Sequence, residues 1–198
     1  MKKNIAFFDF DGTITTVDTL LAFIKFSQSR LRFYGGFLYC SPILLAYKMR
    51  LIANHVAKEK VLQFFFRGNS LGQFEDCCSQ FSANKLPGLI RPGALLEIER
   101  LQQRNFTVVI VSASPENWIR EWAAKHGAEL IATKLEVKQE TLTGKLLGSN
   151  CYGEEKVRRI ESRYELKQYE QVYAFGDTAG DKPMLRLATS SFYKPFRN

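Results

Sequence analysis

Residues 4–13 read NIAFFDFDGT. The mostly apolar run from Asn4 to Phe10 is typical of a short buried strand, and the Asp-Gly pair that follows is a turn signal. Two acidic residues, Asp9 and Asp11, therefore lie where the first strand meets its turn. The same order, an apolar run followed by small polar residues, recurs later in the chain.

Two further apolar runs, FTVVIV at residues 106–111 and VYAF at residues 172–175, are typical of buried strands. Helical patterns lie between the strands, over residues 94–104 and 154–165. Strands that are continuous apolar runs and that alternate with helices indicate a parallel sheet covered by helices on both faces. We therefore predict an α/β fold with a Rossmann-like parallel sheet flanked by helices.

The segment after the first strand has a different pattern. From about residue 15 to residue 85, apolar residues recur at helical spacing and β-branched runs are absent. The Leu-Pro-Gly sequence at residues 86–88 then marks a break. We expect residues 15–85 to form an inserted α-helical cap (the cap segment), and residues 1–14 and 86–198 to form the core domain that contains the parallel sheet.

Two local expectations concern the second half of the chain. The spacing predicts a helix over residues 115–126, with Ser114 as its N-cap and Pro115 at its first position. It also predicts one strand over residues 129–137 with a hairpin partner over residues 141–147. Both expectations follow from local capping and turn signals.

Composition narrows the class of protein. The 198-residue chain is 45% hydrophobic and 13% aromatic, which excludes a disordered chain. A chain of this length can form a hydrophobic core, so its four cysteines are not needed as disulfides to stabilise the fold. The first apolar run meets Asp9 and Asp11 almost at once, so we expect a cytoplasmic protein without a secretory signal. The net charge of +8 comes without a long basic run or zinc-finger spacing, which disfavours nucleic acid. A phosphorylated substrate or an anionic lipid surface remains as a partner for this charge.

Ligands bind beyond the carboxyl ends of parallel strands, and polar groups follow three strands here. The first strand ends in Asp9 and Asp11, the second core strand in SAS at residues 112–114, and a later strand in GDTAGD at residues 176–181. A helix start between the last two supplies Lys156. Several carboxylates at one edge need a cation, and hard oxygen ligands favour Mg²⁺ with phosphate oxygens completing its coordination.

Each of these elements has a simpler interpretation when taken alone. An Asp-x-Asp sequence before glycine is usually a turn, and Lys156 alone would be a surface lysine. Ser114 is more typical of a helix cap, which leaves Ser112 as the phosphate ligand. Their joint occurrence, each at the right end of its element, indicates a functional site.

These sequences resemble the four motifs of the haloacid dehalogenase superfamily: DFDGT at residues 9–13, SAS at 112–114, Lys156, and GDTAGD at 176–181. The helical insertion between the first two motifs resembles the C1-capped subfamily IB, which includes phosphoserine phosphatase-like enzymes. The resemblance implies an Mg²⁺-dependent phosphatase that hydrolyses a phosphomonoester through an aspartyl-phosphate intermediate.

The resemblance also implies a role for each acidic residue. Asp9 would be the nucleophile, and Asp11 the general acid that protonates the leaving alkoxide and then the base that activates water. Mg²⁺ would be held by Asp9, the Asp11 backbone carbonyl and Asp177. Asp181 would act behind these ligands or through a metal-bound water.

The remaining motif residues are expected to bind phosphate or substrate. Ser112 and backbone N–H groups near Gly12 and Ala113 would cradle the phosphoryl oxygens, and Lys156 would neutralise the transferring group. Asp18 is the nearest acidic residue after the first motif, where phosphoserine phosphatases hold the substrate ammonium. The partner implied is a phosphorylated small molecule.

The cap segment leaves the substrate open. Residues 33–47 are uncharged and are flanked by Arg32, Lys48 and Arg50. They are too short to span a bilayer, and we favour them as the buried face of a cap helix pair. The alternative is peripheral contact with an anionic membrane, which would suit a lipid phosphatase of the phosphatidylglycerophosphatase type. A phosphotransferase and a non-catalytic binding module are further alternatives.

Overall fold

A computed structural model of the chain describes residues 3–197. Its strands, in chain order, are β1 (Lys3–Phe8), β2 (Phe106–Pro115), β3 (Glu129–Thr133), β4 (Leu135–Lys138), β5 (Thr141–Leu146), β6 (Tyr169–Gly176) and β7 (Ser190–Tyr193). Five of them form one sheet in the order β3-β2-β1-β6-β7, in which each neighbouring pair is parallel. The predicted α/β fold with a parallel sheet is confirmed.

Helices connect the strands of this sheet. In chain order they are α1 (Thr19–Ser27), α2 (Arg30–Lys48), α3 (Asn54–Phe66), α4 (Leu71–Asn84), α5 (Pro92–Gln103), α6 (Arg120–Lys125), α7 (Glu154–Arg163) and α8 (Lys182–Arg186). Helices α5 to α8 alternate with the strands. Helices α1 to α4 follow one another without an intervening strand and lie within the cap segment.

Strand β1 is buried on both faces of the sheet. Successive side chains of a strand point to opposite faces. Accordingly, Ile5 and Phe7 pack in one hydrophobic cluster, while Ala6 and Phe8 pack in the other. This burial explains why the strand reads as a continuous apolar run, and it fixes the position of the polar loop that follows Phe8.

An aromatic cluster joins the cap segment to the core. The Phe23 ring of α1 lies 5.4–5.5 Å from the rings of Phe66, Phe74 and Phe81, which belong to α3 and α4. The same ring stacks at 4.7 Å on Trp118, which follows β2. Aromatic contacts of this kind add to the stabilisation from buried area. Helix α1 is therefore held against both parts of the chain.

Helix α2 is buried on one side only. Its inner side packs on α3 so closely that a Cβ on Gly36 would lie 2.3 Å from the Phe65 ring. On its outer side the apolar residues are exposed by more than half: Leu31 (89%), Tyr34 (66%), Leu38 (77%) and Leu45 (59%). The buried face expected for residues 33–47 therefore covers only one side of α2, and the other side is exposed. No helix of residues 3–197 is long and apolar enough to cross a membrane.

The chain after β2 differs from the sequence prediction. Strand β2 continues to Pro115, which pairs with Thr133 of β3. A short 3-10 turn over Glu116–Trp118 follows, and α6 begins only at Arg120. The prediction that Ser114 is an N-cap is wrong, because its backbone is still part of the sheet.

The predicted strand over residues 129–137 is in fact two strands. Strand β3 ends at Thr133 and belongs to the large sheet, whereas β4 pairs antiparallel with β5 in a separate hairpin. A one-residue break at Lys134 lets the chain leave the large sheet. Because apolar residues lie on both sides of Lys134, the sequence did not reveal this break.

The β4–β5 hairpin is attached to the cap segment. The Gly68 N–H donates to the Leu142 carbonyl at 2.9 Å, and the Leu142 N–H donates back to the Asn69 carbonyl at 3.0 Å. Gly144 has a φ of +76°, and a Cβ there would lie 2.5 Å from the Cα of Gln63 on α3. Only glycine permits this close approach of the two backbones.

Candidate active site

The loop after β1 brings the first motif against the last one. Gly12 has a φ of +80°, a backbone conformation that favours glycine. A Cβ at this position would lie 2.5 Å from Asp177 Oδ2. Thr13 Oγ1 lies 3.2 Å from Asp9 Oδ2 and 3.3 Å from Asp177 Oδ1. Gly12 therefore allows the carboxylates of Asp9 and Asp177, which are far apart in the sequence, to lie close together.

Lys156, at the start of α7, is the centre of the charge network. Its side chain is 1% exposed, and its ammonium donates to Asp9 Oδ1 at 2.6 Å, Asp181 Oδ1 at 2.7 Å and the Val111 carbonyl at 2.7 Å. These three acceptors match the three donors of an ammonium. Burial lowers the pKa of Lys156, but the negative charges of Asp9 and Asp181 raise it by a larger amount. The net shift of the pKa is upward, so the ammonium stays charged.

Asp9 lies at the junction of these contacts and is buried. Burial raises the pKa of its carboxyl to about 7, against the opposing effect of the Lys156 ammonium. The neighbouring charges of Asp181 and Asp11 act in the same upward direction. Like charges at short distance disfavour ionisation, so the arrangement calls for additional positive charge.

Asp181 organises the loop after β6. Its Oδ2 accepts from the Thr178 hydroxyl at 2.7 Å and from the backbone N–H groups of Thr178 and Asp177 at 2.9 and 3.2 Å. Its Oδ1 accepts from Lys156, which lowers the pKa of the Asp181 carboxyl even though burial acts to raise it. Both oxygens of Asp181 are therefore occupied by protein donors, and Asp181 is the more deeply buried of the two carboxylates of this loop, with 2% exposure against 8% for Asp177.

Asp11 is held by donors from two other elements. Its Oδ1 accepts from the Thr19 backbone N–H and hydroxyl, both at 2.6 Å, and its Oδ2 accepts from the Ser112 hydroxyl at 3.3 Å. Thr19 in turn accepts from the Trp118 indole at 3.0 Å. Sequence reasoning missed Thr19, because nothing local distinguishes it from other residues at a helix start. It fixes the side chain of Asp11 in the site.

The second motif contributes a turn of three small residues. Ser112 is fully buried, donates to Asp11 and accepts from the Ser114 N–H at 3.0 Å. Ala113 and Ser114 line the cavity at this edge of the sheet. Phosphate binding by Ser112 and Ala113 stays a prediction.

Asp18 is the N-cap of α1 and also lines the cavity. Its Oδ1 accepts from the Leu21 N–H at 3.1 Å. Desolvation within the cavity and the charge of Asp11 both raise the pKa of the Asp18 carboxyl. Asp18 is therefore close to the other predicted residues, although a helix cap accounts for its contact with Leu21.

Of the residues predicted for the site, all except Ser112 line one cavity of about 560 Å³ between the sheet edge and the cap segment, whereas Ser112 is fully buried and does not line it. Three basic residues that the sequence did not single out also line it: Lys58, Arg91 and Arg197. Lys58 of α3 donates to the Ala113 carbonyl at 2.9 Å and to Asn150 Oδ1 at 3.1 Å, and burial lowers its pKa. The cavity therefore has acidic residues at its base, the acidic floor (Asp9, Asp177 and Asp181), and basic residues at its sides.

The acidic floor fits a divalent cation. Asp9, Asp177 and Asp181 are buried, and one oxygen of each lies within 4.8 Å of the others. Lys156, in contact with Asp9 and Asp181, and Arg197, in contact with Asp177, supply two positive charges against these three carboxylates. Carboxylate oxygens suit Mg²⁺, which keeps several waters and takes one or two carboxylates plus substrate phosphates. Asp9, Asp177 and Asp181 are therefore the residues that could hold it.

Comparison with known proteins identifies the family. The model of the haloacid dehalogenase-like hydrolases matches residues 6–186. The chain belongs to this family. The resemblance expected from the four motifs is confirmed, and so is the expectation of a hydrolase with an α/β core.

Relatives of this haloacid dehalogenase-like hydrolase cover nearly the whole chain. Protein CicA of Caulobacter vibrioides is 33% identical over 192 residues, which are 96% of this chain and 85% of CicA. A Bordetella pertussis Tohama I protein of unknown function has a similar structure, with a TM-score of 0.84, 18% identity and coverage of 96% of this chain and 89% of that one.

A solved phosphoserine phosphatase has the same fold. The structure described as a phospho-aspartyl intermediate analogue of that enzyme has a TM-score of 0.70 and 21% identity, and the match covers 96% of this chain and 86% of that one. The fold of this chain, with the helical insertion after the first strand, is thus similar to that of a solved phosphatase.

Proposed function

We propose that the protein is an Mg²⁺-dependent phosphomonoesterase that works through an aspartyl-phosphate intermediate. The observation that carries the proposal is the contact of Lys156 with both Asp9 and Asp181, at the sheet edge where Asp11 is also held in place. A carboxylate beside a cation, with a second carboxyl two residues on, suits phosphoester hydrolysis through a covalent intermediate.

The proposed reaction has two displacements at phosphorus. An Asp9 carboxylate oxygen forms a bond to phosphorus while the ester P–O bond breaks, and Asp11 donates its proton to the leaving alkoxide. A water then attacks the phosphorus of the acyl phosphate, Asp11 accepts its proton, and inorganic phosphate leaves with Asp9 restored. An alkoxide is a poor leaving group at neutral pH, which explains the value of the second carboxyl.

Positive charge in the site supports both steps. Lys156 neutralises Asp9 and the transferring oxygens, and Ser112 and the backbone near Gly12 and Ala113 would hold those oxygens. Mg²⁺, bound by Asp9, Asp177 and the Asp11 backbone carbonyl, would supply further charge neutralisation. Asp181 would keep Lys156 and the loop in place.

The cap segment, residues 15–85, would complete the substrate pocket. Lys58 of α3, Tyr47 of α2 and Asp18 line the same cavity as Asp9. Basic walls around a phosphate site suit a phosphorylated small molecule with further anionic groups. The cap segment would thus select the substrate while the core performs the chemistry.

Phosphate release from a panel of phosphorylated metabolites, phosphoserine included, tests the proposal. We expect turnover of at least one phosphomonoester with Mg²⁺ and loss of nearly all of it with excess EDTA, because Asp9 and Asp177 would then repel the incoming phosphate. Phosphate should appear in water without an added alcohol acceptor. Formation of a new phosphoester on an added alcohol, with little or no inorganic phosphate, would favour the phosphotransferase, and no metal-dependent turnover on any substrate would favour the binding module.

A second candidate is a lipid phosphatase acting at an anionic membrane surface. The observation that favours it is the outer side of α2, where large apolar side chains such as Leu31 and Leu38 are exposed. Between residues 19 and 58 the chain has no Asp or Glu and has six Lys or Arg residues. An apolar helix face with basic neighbours is typical of a helix lying in an anionic interface. The protein would then be a cytoplasmic enzyme with peripheral membrane contact.

Sedimentation with phosphatidylglycerol vesicles tests this second candidate. At low salt the wild-type protein is expected to sediment with them, and Leu38→Glu should reduce the bound fraction about tenfold, because it puts a charge on the apolar face. Leu96→Glu is the matched control, since Leu96 is 65% exposed on α5 and should leave binding unchanged. Absence of wild-type binding at low salt would eliminate this candidate.

A further inference from the structure

The C-terminal tail, residues 194–197, returns to the mouth of the active-site cavity. The Lys194 N–H donates to the Gly176 carbonyl at 2.8 Å, at the end of β6. The Phe196 ring lies 5.7 Å from the Phe175 ring in a stacked arrangement. These contacts direct the tail toward the loop that carries Asp177.

The tail backbone takes an unusual path. Lys194 has a φ of +53° and Phe196 a φ of +62°, in the left-handed region that residues with a side chain rarely adopt. Arg91 supports this path: its Nη1 donates to the Phe196 carbonyl at 3.4 Å and its Nε to the Thr15 carbonyl at 3.1 Å. Such backbone conformations persist where surrounding contacts hold them, often at functional sites.

The path ends with the Arg197 guanidinium on a carboxylate of the acidic floor. Arg197 Nη2 lies 2.5 Å from Asp177 Oδ2, and Thr13 holds the other oxygen. Within residues 3–197, Arg197 is the one cation in an ion pair with Asp177, since Lys156 contacts Asp9 and Asp181 instead. Burial and Asp181 raise the pKa of Asp177, and the guanidinium opposes them.

We propose that Arg197 is the internal counter-charge of the metal site, which balances Asp177 in the metal-free protein and competes with the divalent cation for it. This inference rests on the proposed function, in which Asp177 is a metal ligand. A guanidinium and a divalent cation at one carboxylate repel each other, and this repulsion is strong near low-dielectric walls. Arg197 therefore weakens metal binding and stabilises the metal-free site.

The structure allows this exchange without unfolding of the tail. The anchors of the tail are the Lys194 backbone, the Phe196 carbonyl and the Phe196 ring, and none of them involves the Arg197 side chain. That side chain is 38% exposed, so the guanidinium can turn from Asp177 into water or toward an anion in the cavity. The tail thus keeps its place while its last described side chain changes partner.

Metal binding without substrate tests the proposal. The probe is Mn²⁺, measured from the EPR signal of the free ion, with Mg²⁺ added as a competitor. Arg197→Gln is expected to bind both ions about five- to tenfold more tightly, because a repelling charge has been removed. The control is Lys194→Gln, which removes the same charge from an exposed side chain of the same tail that lies on the Tyr193 ring. This control should bind metal as the wild type does.

Thermal unfolding supplies a second measurement. Without metal, Arg197→Gln is expected to have a lower midpoint than the wild type, and saturating Mg²⁺ should raise the midpoint by more in the variant, since a tighter ligand stabilises more. Equal affinities in Arg197→Gln and Lys194→Gln would overturn the proposal, as would weaker binding in Arg197→Gln, which would make Arg197 a residue that orients Asp177. Lack of Mn²⁺ binding in all three proteins would instead refute the metal site of the proposed function.

Discussion

Replacing Asp9 with Asn is expected to lower kcat by about 10⁴-fold or more while the protein stays folded. An amide cannot attack phosphorus as a carboxylate does, and loss of a covalent nucleophile costs several orders of magnitude in well-studied hydrolases. The fold should survive, because burial already raises the pKa of Asp9 to about 7 and a neutral group is tolerated there. Lys156 would keep its contacts with Asp181 and the Val111 carbonyl.

The measurement is phosphate release under single-turnover conditions, together with chemical trapping of the intermediate. Wild-type protein quenched during turnover should carry phosphate that hydroxylamine removes, and Asp9→Asn should carry none. Asp76→Asn is the control, because Asp76 is exposed on α4 and outside the cavity. If Asp9→Asn kept a tenth of the wild-type rate, the proposed nucleophile would be wrong.

Replacing Lys156 with Met is expected to cost about 3–5 kcal/mol of stability, the usual range when one partner of a buried ion pair is removed. The substitution leaves Asp9 and Asp181 buried without a counter-charge, and the Val111 carbonyl without its donor. Mg²⁺ should recover part of the loss, because a divalent cation at Asp9 and Asp177 supplies charge at the same place.

Urea unfolding with and without Mg²⁺ measures this loss. Lys167→Met is the matched control, since Lys167 is exposed and its replacement should change stability by no more than about 0.5 kcal/mol. A Lys156→Met protein within 1 kcal/mol of the wild type would contradict the ion-pair network, and activity that survives in it would contradict the assigned role in neutralising Asp9.

The parts of the site that sequence predicts are those that lie at the ends of buried strands. Asp9, Asp11 and Asp177 follow apolar runs, and parallel strands bring such positions to one edge whatever the length of chain between them. For Lys156, the position at a helix start and the resemblance to the family motif predict that the side chain belongs to the site. The structure then joins Lys156 to Asp9 across 147 positions of sequence.

Local signals fail where the sheet overrides them. Ser114 and Pro115 carry the signature of a helix start, yet β2 continues through both because Pro115 still pairs with Thr133 of β3. Likewise, apolar residues lie on both sides of the break at Lys134, and the division of residues 129–138 between two sheets depends on partners outside this segment.

The basic residues of the cavity could be found only in part. Lys58, Arg91 and Arg197 come from α3, from the start of α5 and from the C-terminal tail, and no spacing links them. The sequence of the C-terminal tail does contain basic residues and no acidic residue. The contact of Arg197 with Asp177 depends on the left-handed backbone at Lys194 and Phe196, which sequence gives no reason to expect.

The hairpin that is attached to α3 has a consequence for protein engineering. A designer who wishes to exchange substrate selectivity between members of this family would take residues 15–85 as the module to transplant. That module would arrive without the Leu142 groups that pair with Gly68 and Asn69, and a side chain at position 144 of the recipient would collide with the new α3. Residues 135–146 therefore have to travel with the cap segment, and the transferable unit consists of two pieces of chain.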